Sequence, residues 1–377
     1  MKKNFRADLR LAAAALAAAF AAGCLVPPAF AADEDSLKTQ DMLGTVQLPA
    51  PIQLETSRKP KPTPAPAPRP APAQSAGYTL LTQPASSNRD LIINYINGAQ
   101  TSINLTIYEI EDPQIISALI AAAKRGVAVR VLYNHYSFVS YSHDPNAQYV
   151  TQLNAGGVQT KMAAQTFTVT HQKTFTFDGS VSIIMTFNLC PSYFATARDF
   201  GIVTSDPGQV AEITNVFEAD WAYQPVSVSE PALVWSPDNS RTKILGIING
   251  ASKSLDVYNE ETSDKASMAA LIAAAKRGVT VRFITAVLTS AGSSADGNAA
   301  ERAALNAGGV QAKGLNNPYI HAKMVLADYG EGGAQAFLGS ENFSSTSLDK
   351  NRELGIILND SGILSSIEQT FESDWGN

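Results

Sequence analysis

Parts of this chain occur twice at a constant spacing. Ile96-Asn97-Gly98-Ala99 returns as Ile248-Asn249-Gly250-Ala251, the run Ala-Ala-Ala-Lys-Arg-Gly-Val at 121–127 returns at 273–279, and Leu-Asn-Ala-Gly-Gly-Val-Gln at 153–159 returns at 305–311. All three pairs lie 152 residues apart. The ends agree as well, Phe217-Glu218-Ala219-Asp220-Trp221 being answered by Phe371-Glu372-Ser373-Asp374-Trp375. A period this long is the duplication of a whole folding unit, not the short repeat of a solenoid. The fold must therefore work as two similar bodies, and a side chain needed twice in one site can be supplied once by each.

Within the first copy the apolar pattern predicts a strand over 103–108 and a helix over Pro113–Lys124, stopped by Arg125-Gly126. A second strand over 127–133 has β-branched alternation, and a further helix ends near Gly156-Gly157. Strands follow over 166–177, 181–187 and 200–204, with a closing helix over 207–221. Such alternation gives an α/β fold: two layered αβα domains with mixed sheets, 78–225 and 226–377. Facing each other across a pseudo-twofold axis, they would share one cleft.

The residues before this body read differently. Lys2, Lys3, Arg6 and Arg10 precede an Ala/Leu/Phe run, and Ala29-Phe30-Ala31 supplies a small-residue cleavage site. Residues 1–31 therefore read as a secretory signal peptide, which places the protein outside the cytoplasm, periplasmic or secreted. Lipoprotein processing at Cys24 is the alternative, and would tether the chain to a membrane. Residues 32–77 are proline-rich and cannot pack a core, so they read as a disordered, partly extended linker. Residues 1–31 carry four basic and one acidic side chain and residues 32–77 five of each, so the net charge of −6 becomes −9 over 78–377. Nonspecific nucleic-acid binding rests on phosphate neutralisation by Lys and Arg, and an acidic body argues against it as the main task.

The chemistry lies in two matched motifs. His171-Gln172-Lys173 is followed after four residues by Asp178, and His321-Ala322-Lys323 after four residues by Asp328. Downstream of each come Met185-Thr186-Phe187-Asn188 and Gly339-Ser340-Glu341-Asn342, then Ala197-Arg198-Asp199 and Asn351-Arg352-Glu353. Over 78–377 this doubled pattern resembles the phospholipase D superfamily, whose signature is H-x-K-x4-D-x6-G-S-x-N. Met185 in place of Gly, Asp199 in place of Glu, and an insert carrying Gly330, Gly332 and Gly333 depart from it; residues 329–338 are expected to form a hairpin that leaves Ser340 in place.

The resemblance implies phosphodiester cleavage through a phosphohistidine, without a cofactor or metal. It assigns His171 as nucleophile and His321 as general acid/base, the reverse order remaining open. Lys173 and Lys323 would neutralise phosphate oxygens, and Asn188, Thr186, Ser340 and Asn342 would donate to them. Glu353 is expected to hold the His321 ring and Asp199 the His171 ring, with Asp178 and Asp328 supporting the strands. The residue types suit this chemistry on their own terms. Fixed cations make a phosphodiester electrophilic, an unprotonated imidazole is a nucleophile at neutral pH, and a protonated one can serve the leaving oxygen. A metal site is disfavoured because the paired lysines would repel a cation and no Cys or acidic ligand set adjoins. Glu260-Glu261, opposite Tyr108-Glu109, either point into the cleft or form a structural cluster. Aromatic residues Tyr136, Phe138, Tyr141, Tyr193 and Phe194 stand near the cleft, His135 and His143 fall in the same loop, and Cys190 reads as a small buried residue. The expected substrate is a phospholipid at a membrane surface, with a nucleic-acid backbone as the alternative. A monomer suffices for activity, since both motifs lie in one chain.

Overall fold

The computed structural model describes residues 77–134, 144–289 and 295–377. The leader, most of the linker, Cys24 and the loop with His135, Tyr136, Phe138, Tyr141 and His143 lie outside them.

The first copy runs β1 (Thr79–Gln83), α1 (Ser86–Gly98), β2 (Ser102–Ile107), α2 (Pro113–Lys124), β3 (Ala128–Tyr133), α3 (Ala147–Ala155), β4 (Gln159–Met162), β5 (Thr174–Phe177), β6 (Val181–Met185), α4 (Pro191–Thr196), β7 (Ala197–Thr204) and α5 (Pro207–Ala222). The second runs β8 (Leu233–Ser236), α6 (Ser240–Gly250), β9 (Ser254–Asn259), α7 (Lys265–Lys276), β10 (Thr280–Ala286), α8 (Ala299–Ala307), β11 (Gln311–Leu315), β12 (Tyr319–Ile320), β13 (Lys323–Ala327), β14 (Gln335–Gly339), α9 (Ser345–Asp349), β15 (Glu353–Leu358) and α10 (Ser361–Trp375).

The sheets have the same order, β1-β7-β6-β5-β2-β3-β4 and β8-β15-β14-β13-β9-β10-β11. In each, the three strands joined through helices are parallel and the other pairings along this order antiparallel; β12 adds to β7 of the first sheet in parallel. This is the mixed sheet of a duplicated α/β unit. The central strands β6, β7, β13 and β15 are buried along nearly their whole length, as expected where helices cover both faces, while the edge strands β4 and β11 are not. The repeated Lys-Arg-Gly-Val blocks end α2 and α7, where Gly126 and Gly278 take φ of 95° and 94°, a conformation that favours glycine. Asp112 and Asp264 cap the starts of these helices by accepting backbone N–H bonds.

The strand expected over 166–177 is shorter, beginning at Thr174. The reason is a partner in the other half. Arg352 accepts N–H bonds from His171 and Gln172 through its carbonyl and donates its own N–H to the Val169 carbonyl. The mirror arrangement holds for the second motif: β12 pairs with β7, and the Arg198 carbonyl accepts from His321 and Ala322. The residues before each Lys thus leave their own sheet and bond to the other copy. The glycine-bearing insert lies in the β13–β14 connection, and the two strands pair from Lys323↔Gly339 to Ala327↔Gln335. Met185 donates its N–H to the Lys173 carbonyl, the place Gly339 has opposite Lys323. A side chain at Gly339 would meet the Glu341 carboxyl and the Gly355 backbone.

Candidate active site

Strand geometry places the functional groups. Residues two apart on an extended chain point to the same side, so His171 lies beside Lys173 and His321 beside Lys323. Each ammonium folds back onto the carbonyl of its own histidine. The aspartate of each motif lies beyond the far end of the strand, about 15 Å away at ~3.3 Å per residue. There Asp178 and Asp328 adopt φ of 52° and 53°. Their carboxylates accept the N–H groups of Gln100, Thr101 and Ser102, and of Ser252, Lys253 and Ser254. Both hold the start of a neighbouring strand.

The carboxylates that orient the rings are crossed relative to the sequence expectation. Glu353 Oε2 stands 2.8 Å from His171 Nδ1, and Asp199 Oδ1 stands 2.9 Å from His321 Nδ1. Each ring is therefore held by the opposite half, because each His segment bonds to the strand region that carries the other copy's carboxylate. Glu353 is itself fixed by the Ser347 hydroxyl at 2.6 Å and the Asn351 amide at 2.9 Å. Asp199 is held by Thr186. The Thr186 hydroxyl, expected to meet phosphate, instead donates to this carboxylate and accepts from the Phe200 N–H. Ser340 has the equivalent place: its Oγ accepts the Leu354 N–H, and its carbonyl lies 3.1 Å from His171 Nδ1. Asn188 donates to Glu109 at 3.3 Å, and Asn342 is buried with its side-chain oxygen lacking a hydrogen bond among the described residues.

The electrostatics join the halves into one site. Burial, then the Lys173 ammonium, push the His171 imidazole down to about 4 against the pull of Glu353, with Lys323 adding to the fall. Lys173 is lowered to about 7 by burial and then by Lys323, against Glu353, Glu260 and Asp199. Burial raises Glu353, but His171 and Lys173 outweigh it and hold its carboxylate below the ordinary value. His171 is thus neutral at pH 7. Assigning its Nδ1 proton toward Glu353 leaves the Nε2 lone pair free.

Several partners lie outside the motifs, and two of them, Tyr193 and Glu260, are placed near the cleft by the sequence. Tyr193 packs 4.5 Å from the His321 ring, Tyr319 donates to Glu260 at 2.8 Å, and Glu260 lies 2.8 Å from Lys323 Nζ. Glu260 had the signal of following an apolar strand directly; Ser347 had none. Cys190 is fully buried in the hydrophobic core. Among the described residues no group of three or more His, Cys, Asp or Glu is arranged to hold a metal ion.

The cardiolipin synthase, PLD-like domain family matches residues 92–221 and again residues 244–375. The chain belongs to this phospholipase D-like family. Among solved structures it is similar to the phosphatidylserine synthase of Haemophilus influenzae Rd KW20, with TM-score 0.60 and 12% identity over 78% of this chain and 85% of that one. It is similar to the polyphosphate kinase of Porphyromonas gingivalis at TM-score 0.60 and 18% identity, over 78% of this chain and 50% of that one, so it spans about half that kinase's length. Nuc, a phospholipase D family member from Salmonella typhimurium, matches at 21% identity and TM-score 0.36 over 41% of this chain and 99% of its own. No curated protein matches the chain. Membership makes this a phosphodiesterase-like, phospholipase D superfamily fold in duplicate.

Proposed function

We propose that the protein is an exported, metal-independent phosphodiesterase that removes phospholipid head groups through a phosphohistidine, with transfer to an alcohol as the companion reaction. One observation carries this: both His-x-Lys pairs meet in one site, each ring backed by the other half's carboxylate. His171 Nε2 attacks phosphorus while Lys173 and Lys323 offset the charge on the phosphoryl oxygens. His321 gives a proton to the departing alcohol, then takes one from the incoming water or alcohol.

The net charge of −9 over 78–377 supports a lipid over a polyanion. So do the tyrosines beside the second histidine, Tyr193 and Tyr319. Export is supported by the leader pattern of residues 1–31. Vesicles of phosphatidylcholine or phosphatidylglycerol with ethanol and EDTA should yield free head group and phosphatidylethanol. His171→Ala should lower turnover by about a thousandfold or more. Absence of both products rejects the lipid reading, and EDTA-resistant, salt-sensitive degradation of DNA or RNA would replace it by a nuclease.

A further inference from the structure

The two halves of the site differ at one pair of equivalent positions. The residue after β2 is Tyr108 and the residue after β9 is Glu260, 152 positions later. On the first side an aromatic ring lies against the catalytic pair: Tyr108 packs edge-on 4.7 Å from the His171 ring, and Lys173 Nζ lies 5.1 Å from its centre. On the second side a carboxylate takes that place. Glu260 Oε2 is 2.8 Å from Lys323 Nζ and 3.6 Å from His321 Nε2, and its other oxygen accepts the Tyr319 hydroxyl.

His321 therefore lies between two carboxylates, Asp199 at Nδ1 and Glu260 toward Nε2, whereas among the described residues His171 is paired with Glu353 alone. The other groups facing this cluster are Tyr193 from α4, Tyr319 from β12, Lys323 from β13, Glu261 beside Glu260, and Lys173 from the opposite pair. An anion within a few ångströms favours the charged form of an imidazole. Burial raises the Glu260 carboxyl, but Lys323 and then His321 outweigh it and hold it well below the usual carboxylate range. It stays anionic where the reaction runs.

We infer that Glu260 is a positioning residue that gives the site its direction: its carboxylate on the Nε2 side of His321 marks that ring as the proton donor, and His171, which has no such second carboxylate among the described residues, is the nucleophile. This rests on the phosphodiesterase reading above. In the first step the His171 Nε2 lone pair forms the N–P bond. The P–O bond to the leaving alcohol breaks, and that oxygen takes the His321 Nε2 proton. In the second step water oxygen attacks phosphorus, its proton goes to His321, and the N–P electron pair returns to His171. Glu260 exchanges no proton in either step; its charge favours the proton on the ring beside it.

The test is Glu260→Gln, which keeps the side-chain size and the capacity to meet Lys323 and Tyr319. In protein with isotope-labelled histidine, the His321 ring titration followed by NMR should move down by about one pH unit or more. The alkaline limb of kcat/KM should move down with it, Glu260→Asp should restore most of both, and Tyr108→Phe should move neither. A purely structural role would change stability without moving the titration. An unmoved His321 in an active Glu260→Gln enzyme overturns the inference alone. The titration needs no turnover, so a His321 that shifts in a protein inert on every phosphodiester overturns the proposed function and not the role of Glu260.

Discussion

A buried ammonium is costly unless its surroundings compensate, and Lys173 is fully buried with a second ammonium among its neighbours. On the proposed function, the phosphodiester substrate's negative charge completes the compensation. The folded Lys173 pKa of about 7 lies below the ordinary lysine value of 10.5. Between those values the unfolded chain holds the proton that the folded chain has lost, so this residue makes stability rise with pH from about 7 to 10.5 and costs most below pH 7. Lys173→Met should therefore unfold at higher urea than wild type at pH 6. The gap should narrow as pH climbs through that window, while activity falls by about a thousandfold or more. A variant less stable than wild type at pH 6 would mean that Glu353, Glu260 and Asp199 already compensate the charge.

At the level of elements, the spacing of the motif has a simple cause. H-x-K places two groups at one end of a short strand, and four further residues carry the chain to a turn at the other end, where Asp178 and Asp328 tie down β2 and β9. Replacing either aspartate by Ala should lower stability by about 2 kcal/mol through orphaned backbone donors. The folded enzyme's kcat should stay within about twofold, checked by urea unfolding beside steady-state kinetics; a large loss of kcat with stability intact would place these groups in the chemistry after all. This division was legible in the sequence because it is local, as were the duplication, the strand–helix order and the paired lysines. The crossing of Asp199 and Glu353 was not. It depends on which strand lies beside His171 and His321 across the axis, and nothing within twenty residues of either ring encodes that. The premature end of the 166–177 strand has the same origin, since Arg352 of the other copy supplies the backbone partners.

Taken whole, the molecule is less separable than its repeats suggest. One hydrophobic core contains residues of both copies, from Ile183 and Phe200 to Met324, Leu354 and Phe371. Two mirrored clamps close over it. Arg198 pairs with Asp374 on α10, and Arg352 pairs with Asp220 on α5 at 3.0 Å. Each arginine directly precedes the carboxylate that holds the opposite histidine, and its carbonyl accepts from the segment bearing that histidine. Docking of the halves and orientation of the rings are thus a single event. Arg352 and Asp220 are both nearly inaccessible, so removing the arginine leaves the Asp220 carboxylate buried without compensation, at about 3–5 kcal/mol, whereas removing Asp220 leaves Arg352 its pair with Asp238 at 3.1 Å and removing both can approach neutrality. Arg352→Met should destabilise strongly, Asp220→Leu less so because Asp238 still pairs with the arginine, and the double variant should regain most of the Arg352→Met loss in urea unfolding. Its kcat should recover in parallel, because the Arg352 carbonyl is still present to receive His171 once the backbone is back in place. If stability returned and kcat did not, the arginine side chain itself, rather than the docked backbone, would be what aligns the nucleophile.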